Sequence, residues 1–207
     1  MRTIAGLTCL VLCTLCAAAF PGGSAQVADL KPEQCLGGAP DAPIRLEIFS
    51  DFECPACRQL YLESVRPVLK EYCSLDKVCV VYMEFPLQGH KYSRQAARYA
   101  KAAQKLGKKE YQTVVDAIFQ NQEIWVKDGS VDDVVFKALG SNSYVNLKKL
   151  LLDPSIDAAI NAEQAEGEKR EVKSTPTLFI YALAKEQKVE GPLPYFVLKD
   201  FFDRIVK

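Results

Sequence analysis

The alternating apolar stretch 44–50 runs almost directly into Cys54-Pro55-Ala56-Cys57, and this junction constrains the chain more than any other stretch. Ile44, Leu46, Ile48 and Phe49 give it the period and the branched and aromatic content of a strand. An amphipathic pattern over 55–72 follows, with Leu60, Tyr61, Val65, Val68, Leu69 and Tyr72 at helical spacing and Pro67 predicting a kink. Pro55 suits the first helical position, where its missing N–H has no intrahelical partner to lose. Two thiols three positions apart at a helix start lie close enough to bridge. Cys54 would also face the free N–H groups and positive end of the helix, which stabilise a thiolate. Thiolates attack disulfides, so the pattern predicts reversible exchange, with Cys54 attacking and Cys57 resolving. A static bridge or half a zinc site shares the same spacing. Zinc requires four ligands, however, and the chain has no second Cys-x-x-Cys and a single histidine, His90.

Of the eight cysteines, three lie in the first 25 residues, which read as a secretory signal. Arg2 is followed by an apolar run over 4–20 and by small residues, so cleavage is expected between Ala25 and Gln26. The run is short for a membrane anchor. The mature chain would keep Cys35, Cys54, Cys57, Cys73 and Cys79 in a periplasmic or secreted, oxidising setting. Cys73 and Cys79 flank the turn after the first helix, so a structural disulfide is expected between them. Cys35 is then left free, paired with one of these two, or bridged to another chain. Formal charge is zero and no Lys/Arg run occurs, which argues against nucleic acid as a partner.

Residues 26–43 hold Gly37-Gly38-Ala39-Pro40 and read as an extended lead-in. After the first strand and helix, the apolar run 78–85 is a second strand buried on both faces, completing a βαβ unit. From 92 to 171 the strand signal vanishes. Five helices are predicted there: one along Ala96, Ala97, Ala100, Ala103 and Leu106; one over 111–125; one opened by Ser130 with Asp133 in a capping box and closed by Gly140; one over 144–152; and one opened by Asp153-Pro154. Strands are predicted over 177–183 and 187–190, then a final helix along Tyr195, Leu198, Phe201, Phe202 and Ile205. The fold class is α/β: a βαβ unit over 44–91 and a ββα unit over 172–207 share one sheet, with a helical subdomain inserted over 92–171.

This layout resembles the DsbA-like branch of the thioredoxin superfamily. The resemblance is carried by Phe49-Ser50-Asp51-Phe52-Glu53-Cys54-Pro55-Ala56-Cys57-Arg58, by Glu84-Phe85-Pro86-Leu87 with His90, and by Ser174-Thr175-Pro176-Thr177. It implies a cis bond before Pro176, set against the cysteine pair, with the Thr175 backbone turned toward a bound peptide. It implies an exported thiol:disulfide oxidoreductase that introduces disulfides into reduced or unfolded exported proteins and is reoxidised by a quinone-linked membrane partner. The expected protein is a monomer, needs no cofactor and binds no metal. Alternatives are a reductase or isomerase on the same fold, or a non-catalytic peptide-binding or chaperone module. One departure stands out: many relatives carry a buried acid six residues before the first cysteine, where this chain has Ile48. The neighbouring Glu47 would point to the opposite face of the strand.

Overall fold

The computed structural model describes residues 30–206. The signal segment expected over 1–25 therefore lies outside the described residues. Five strands form one sheet in the order β1-β3-β2-β4-β5. They are β1 (Cys35–Gly37), β2 (Ile44–Ser50), β3 (Val78–Glu84), β4 (Thr177–Ala182) and β5 (Lys185–Glu190). β2 pairs parallel with β3, Ile44 opposite Val78 and Ser50 opposite Glu84, and antiparallel with β4, Ile44 opposite Ala182. As the central strand it is buried along its whole length, which is why its apolar content exceeds strict alternation.

Side-chain alternation splits the core. Ile44, Leu46, Ile48, Val78, Val80 and Tyr82 face the main core with the helices that follow the cysteine pair. On the other face Cys35, Cys79 and Val81 form one small cluster, and Phe49, Val172 and Phe179 another. The lead-in is more than a connector. β1 adds an edge strand antiparallel to β3, with Cys35 opposite Val81, and buries Leu36 in the main core. Gly38 continues from it at φ 79°, against the Val78 carbonyl, where a Cβ would collide with backbone.

The disulfide expected between Cys73 and Cys79 does not form. Cys79 bridges Cys35 instead, across a Cα–Cα distance of 5.8 Å. The reason is the period of the strand. Cys79 points to the face that carries Cys35, whereas Cys73, in the turn Cys73–Leu75, packs into the main core on the opposite face. Cys73 is a buried free thiol, and burial pushes its pKa up to about 12.

The helix after the cysteines is broken by a wider turn. α1 (Pro55–Leu60) passes into a π-helical turn, Tyr61–Val65, before α2 (Arg66–Glu71). Pro67 lacks an N–H and its ring crowds the carbonyl four residues back, and the wider turn just upstream accommodates both. Between β3 and β4 come α3 (Ser93–Leu106), α4 (Lys108–Gln120), α5 (Gln122–Trp125), α6 (Val131–Leu150) and α7 (Pro154–Lys169). The helix expected over 111–125 is thus two, parted at Asn121. Gly140, at φ 70° and ψ 170°, interrupts α6 where the sequence places a helix end. The predicted capping box does not form, because the Ser130 side chain caps nothing; Asp153 does cap, accepting from the Ser155 N–H. β4 and β5 are joined by Leu183 and Ala184 alone, both at positive φ. α8 (Tyr195–Ile205) returns Leu198 and Phe202 to the main core.

Candidate active site

Cys54 sits at the start of α1 with an extended backbone, and Cys57 lies within its first turn. Cys54 is 7% exposed and Cys57 not at all, so only the first sulfur borders solvent. The pair is in the dithiol form. The Thr175–Pro176 peptide bond is cis, and the Cys54 thiol donates to the Thr175 carbonyl at 3.3 Å. The turn before β4 and the start of α1 therefore meet at the Cys54 sulfur.

The two thiols differ sharply in acidity. A hydrogen bond from the Cys57 thiol is the main influence on Cys54, whose pKa falls to about 5 although burial opposes it. The Thr175 hydroxyl and the N–H groups of Ala56 and Cys57 at the helix start reinforce the fall. Thr175 thus serves both protonation states. Its carbonyl accepts from the thiol, and its buried hydroxyl, without another partner among the described residues, is available to a thiolate. Cys57 moves the other way: burial pushes its pKa well up, as do its donation to Cys54 and the charge there. The Ser50 hydroxyl and the Asp51 N–H, the latter 3.5 Å from the sulfur, oppose that rise.

The loop between β2 and α1 is held by contacts that no motif announced. Asp51, buried, accepts from the N–H groups of Glu53 and Leu87, each at 2.7 Å, and lies 2.9 Å from His90 Nδ1. Glu53 accepts from the N–H groups of Tyr92 and Ser93 at the start of α3, both at 2.7 Å. There a carboxylate meets the free donors and positive end of a helix. Gln122 of α5 donates to the carbonyls of Phe52 at 2.6 Å and Cys54 at 3.1 Å. Arg58 donates to the Phe119 carbonyl at 3.2 Å and pairs with Glu123. The helical segment is in this way fastened to the cysteine loop at several points. For Gln122 the sequence offered no signal, since it stands within the polar run Gln120-Asn121-Gln122-Glu123.

Glu47 takes no part in this. It lies on the far face of β2, where its carboxylate is 3.2 Å from Arg45 and 2.6 Å from Arg170. His90 reaches the loop through Asp51 and hydrogen-bonds to neither sulfur.

Comparison with known proteins agrees with this fold. A thioredoxin family model matches residues 31–203. The chain belongs to the thioredoxin family, as a DsbA-like oxidoreductase. It is 28% identical over 147 residues to a probable disulfide bond formation protein D of Bacillus cereus, covering 69% of this chain and 68% of that protein. Among solved structures, a variant of Wolbachia pipientis alpha-DsbA1 superposes with a TM-score of 0.71 at 18% identity, covering 88% of this chain and 95% of that one. A periplasmic thioredoxin-like protein of Salmonella enterica gives 0.70 at 19% identity, covering 89% and 97%. At such identities the structural likeness speaks for the fold, and these folds share the inserted helical region.

Proposed function

We propose that this chain introduces disulfides into reduced exported proteins through the Cys54–Cys57 pair. The observation that carries this reading is the asymmetry of the pair: a solvent-bordering sulfur favoured as thiolate, backed by a buried one favoured as thiol. In the oxidised enzyme a substrate thiolate attacks Cys54 Sγ. A bond forms between substrate and Cys54, the Cys54–Cys57 bond breaks, and the electron pair leaves on Cys57. A second substrate thiolate then attacks the substrate sulfur of the mixed disulfide, releasing Cys54 as a thiolate and the substrate as a disulfide. A stabilised Cys54 thiolate favours the dithiol enzyme and so makes its disulfide more oxidising. Thr175 and Pro176 line the substrate side, where the Thr175 backbone offers strand-like pairing to an extended peptide. A quinone-linked membrane oxidase would restore the disulfide, and the apolar 4–20 segment would direct export.

The test pairs trapping with redox equilibration. Cys57→Ala should accumulate substrates disulfide-linked to Cys54, because the internal thiol that would otherwise displace them is gone. In glutathione buffers the Cys54–Cys57 pair should equilibrate above the thioredoxin value of about −270 mV. A potential at or below that value would make the protein a reductase, and no exchange at all would leave a peptide-binding module.

A further inference from the structure

Cys57 is fully buried, and the proposed exchange makes it leave as a thiolate each time Cys54 is attacked. Shielded from bulk water, that charge needs a donor within the protein. Among the described residues, the backbone N–H of Asp51 hydrogen-bonds to the Cys57 sulfur, at 3.5 Å. Its availability follows from where the sheet stops. β2 pairs with β4 as far as Phe49 and with β3 as far as Ser50, so Asp51 is the first residue past the ladder. Its N–H has no strand to donate to and turns to sulfur instead.

Asp51 is also clamped in place. It is 1% exposed, and its carbonyl accepts from the Cys54 N–H at 3.1 Å. Oδ1 of its carboxylate accepts from the Glu53 N–H, and Oδ2 accepts from the Leu87 N–H and lies 2.9 Å from His90 Nδ1. Leu87 and His90 belong to one turn, closed by the His90 N–H on the Leu87 carbonyl at 3.0 Å. Such a carboxylate could be no more than a brace for the loop. What sets it apart is that the residue it fixes carries the N–H on the buried sulfur.

We propose that the Asp51 N–H is the donor that receives the Cys57 thiolate during exchange, and that the Asp51 carboxylate, held by Leu87 and His90, positions it. As the substrate thiolate bonds to Cys54 Sγ, the Cys54–Cys57 bond breaks and its electron pair settles on Cys57 Sγ. The N–H keeps its proton throughout, and a solvent proton later restores the Cys57 thiol. A donor fixed before the charge develops needs no rearrangement at that moment. In reoxidation the same contact holds Cys57 while it loses its proton and attacks. The carboxylate's own charge works against this, because it repels a nearby thiolate. Positioning and repulsion therefore predict opposite signs when the carboxylate is removed.

This inference rests on the reading of Cys54 and Cys57 as the exchanging pair, so wild type and Cys57→Ala are measured first. The readouts are the rate at which a reduced cysteine peptide attacks the oxidised protein and the equilibrium constant of the pair with glutathione. Asp51→Ala should slow the attack about tenfold, as expected for losing a hydrogen bond to a charged group. Asp51→Asn and His90→Ala, which loosen the clamp in part, should each slow it about threefold. The equilibrium constant should change less than about twofold, since Cys57 is uncharged in both the disulfide and the dithiol. Replacing the Ser50–Asp51 amide by an ester removes this N–H and keeps the carboxylate; it should slow the attack about tenfold. Faster exchange in the Asp51 variants would overturn the proposal in favour of simple repulsion. A rate and an equilibrium constant that fall together would reduce Asp51 to a structural brace, and a wild-type rate in the ester protein would remove the N–H from the mechanism. Should Asp51→Ala fail to fold, Asp51→Asn and His90→Ala decide. Trapping by Cys57→Ala would leave the proposed function standing in each of these cases, whereas a wild type that does not exchange would overturn both.

Discussion

At the scale of single residues, the proposed chemistry turns on one sulfur favoured as thiolate beside one favoured as thiol. In an unfolded chain Cys54 would titrate near the free-thiol value of about 8.5. In the folded dithiol protein it titrates at about 5. Its folded pKa is depressed, so its contribution to stability is complete above the unfolded value and is lost as pH falls through the folded one. Over that window Cys57 remains a thiol in both states, because its folded pKa is raised and its unfolded pKa lies at the upper edge. Under reducing conditions, the stability advantage of wild type over Cys54→Ser should therefore shrink steadily from about pH 8.5 to about pH 5 and then level off. Denaturant titrations at several pH values measure this. An advantage that stayed flat across the window would mean that Cys54 is not held as a thiolate.

At the scale of elements, the bridge between Cys35 and Cys79 ties the edge strand β1 to β3 over a sequence separation of 44 residues. Closing a loop of that length removes unfolded-state entropy worth about 4 kcal/mol at most. Cys35→Ser should lower unfolding free energy by up to about that amount, read by urea denaturation, and should loosen β1 first. Both sulfurs are fully buried, whereas Cys54 borders solvent. Mass mapping after mild reduction should accordingly find Cys54–Cys57 open and Cys35–Cys79 closed; a link from Cys73 to either would contradict the structure. The outer strand β5 is treated differently. It is short, exposed and lined with Lys185, Glu186, Lys188 and Glu190, a composition that discourages edge-to-edge pairing with other chains.

At the scale of the whole molecule, the helical segment between β3 and β4 works as the frame of the cysteine loop. Glu53 docks the loop on the α3 N-terminus, and Gln122 reaches from α5 to two loop carbonyls. Gln122 is only 4% exposed, so its removal would leave buried carbonyls without this donor. Gln122→Ala should cost about 1–3 kcal/mol of stability and slow exchange by letting Cys54 drift from Thr175, although Gln122 touches neither sulfur. Thermal unfolding and peptide-oxidation rates check the two parts separately. Gly167 of α7 shows the same tight fit on the other side of the sheet, where a Cβ would press on the rings of Phe85 and Phe49.

Much of this was legible in the chain. The strand before the cysteines, the helix they open, the long helical stretch and the closing hairpin and helix all follow from local periodicity and from the positions of proline and glycine. Where local rules were insufficient, a partner distant in sequence made the decision. Nothing nearby marks Leu183-Ala184 as a two-residue turn, since the residues that favour positive φ are absent; the pairing of β4 with β5 imposes it. Cys73 and Cys79 are neighbours in sequence but lie on opposite faces of the sheet, and only the addition of β1 beside β3 shows that Cys79 belongs with Cys35. Asp51, Gln122 and Glu53 have no spacing rule to reveal them, because each acts across a gap of tens of residues. Sequence carries whatever is periodic or contiguous along the backbone. Which face a strand residue takes, and what it meets there, is settled only when the sheet closes around it.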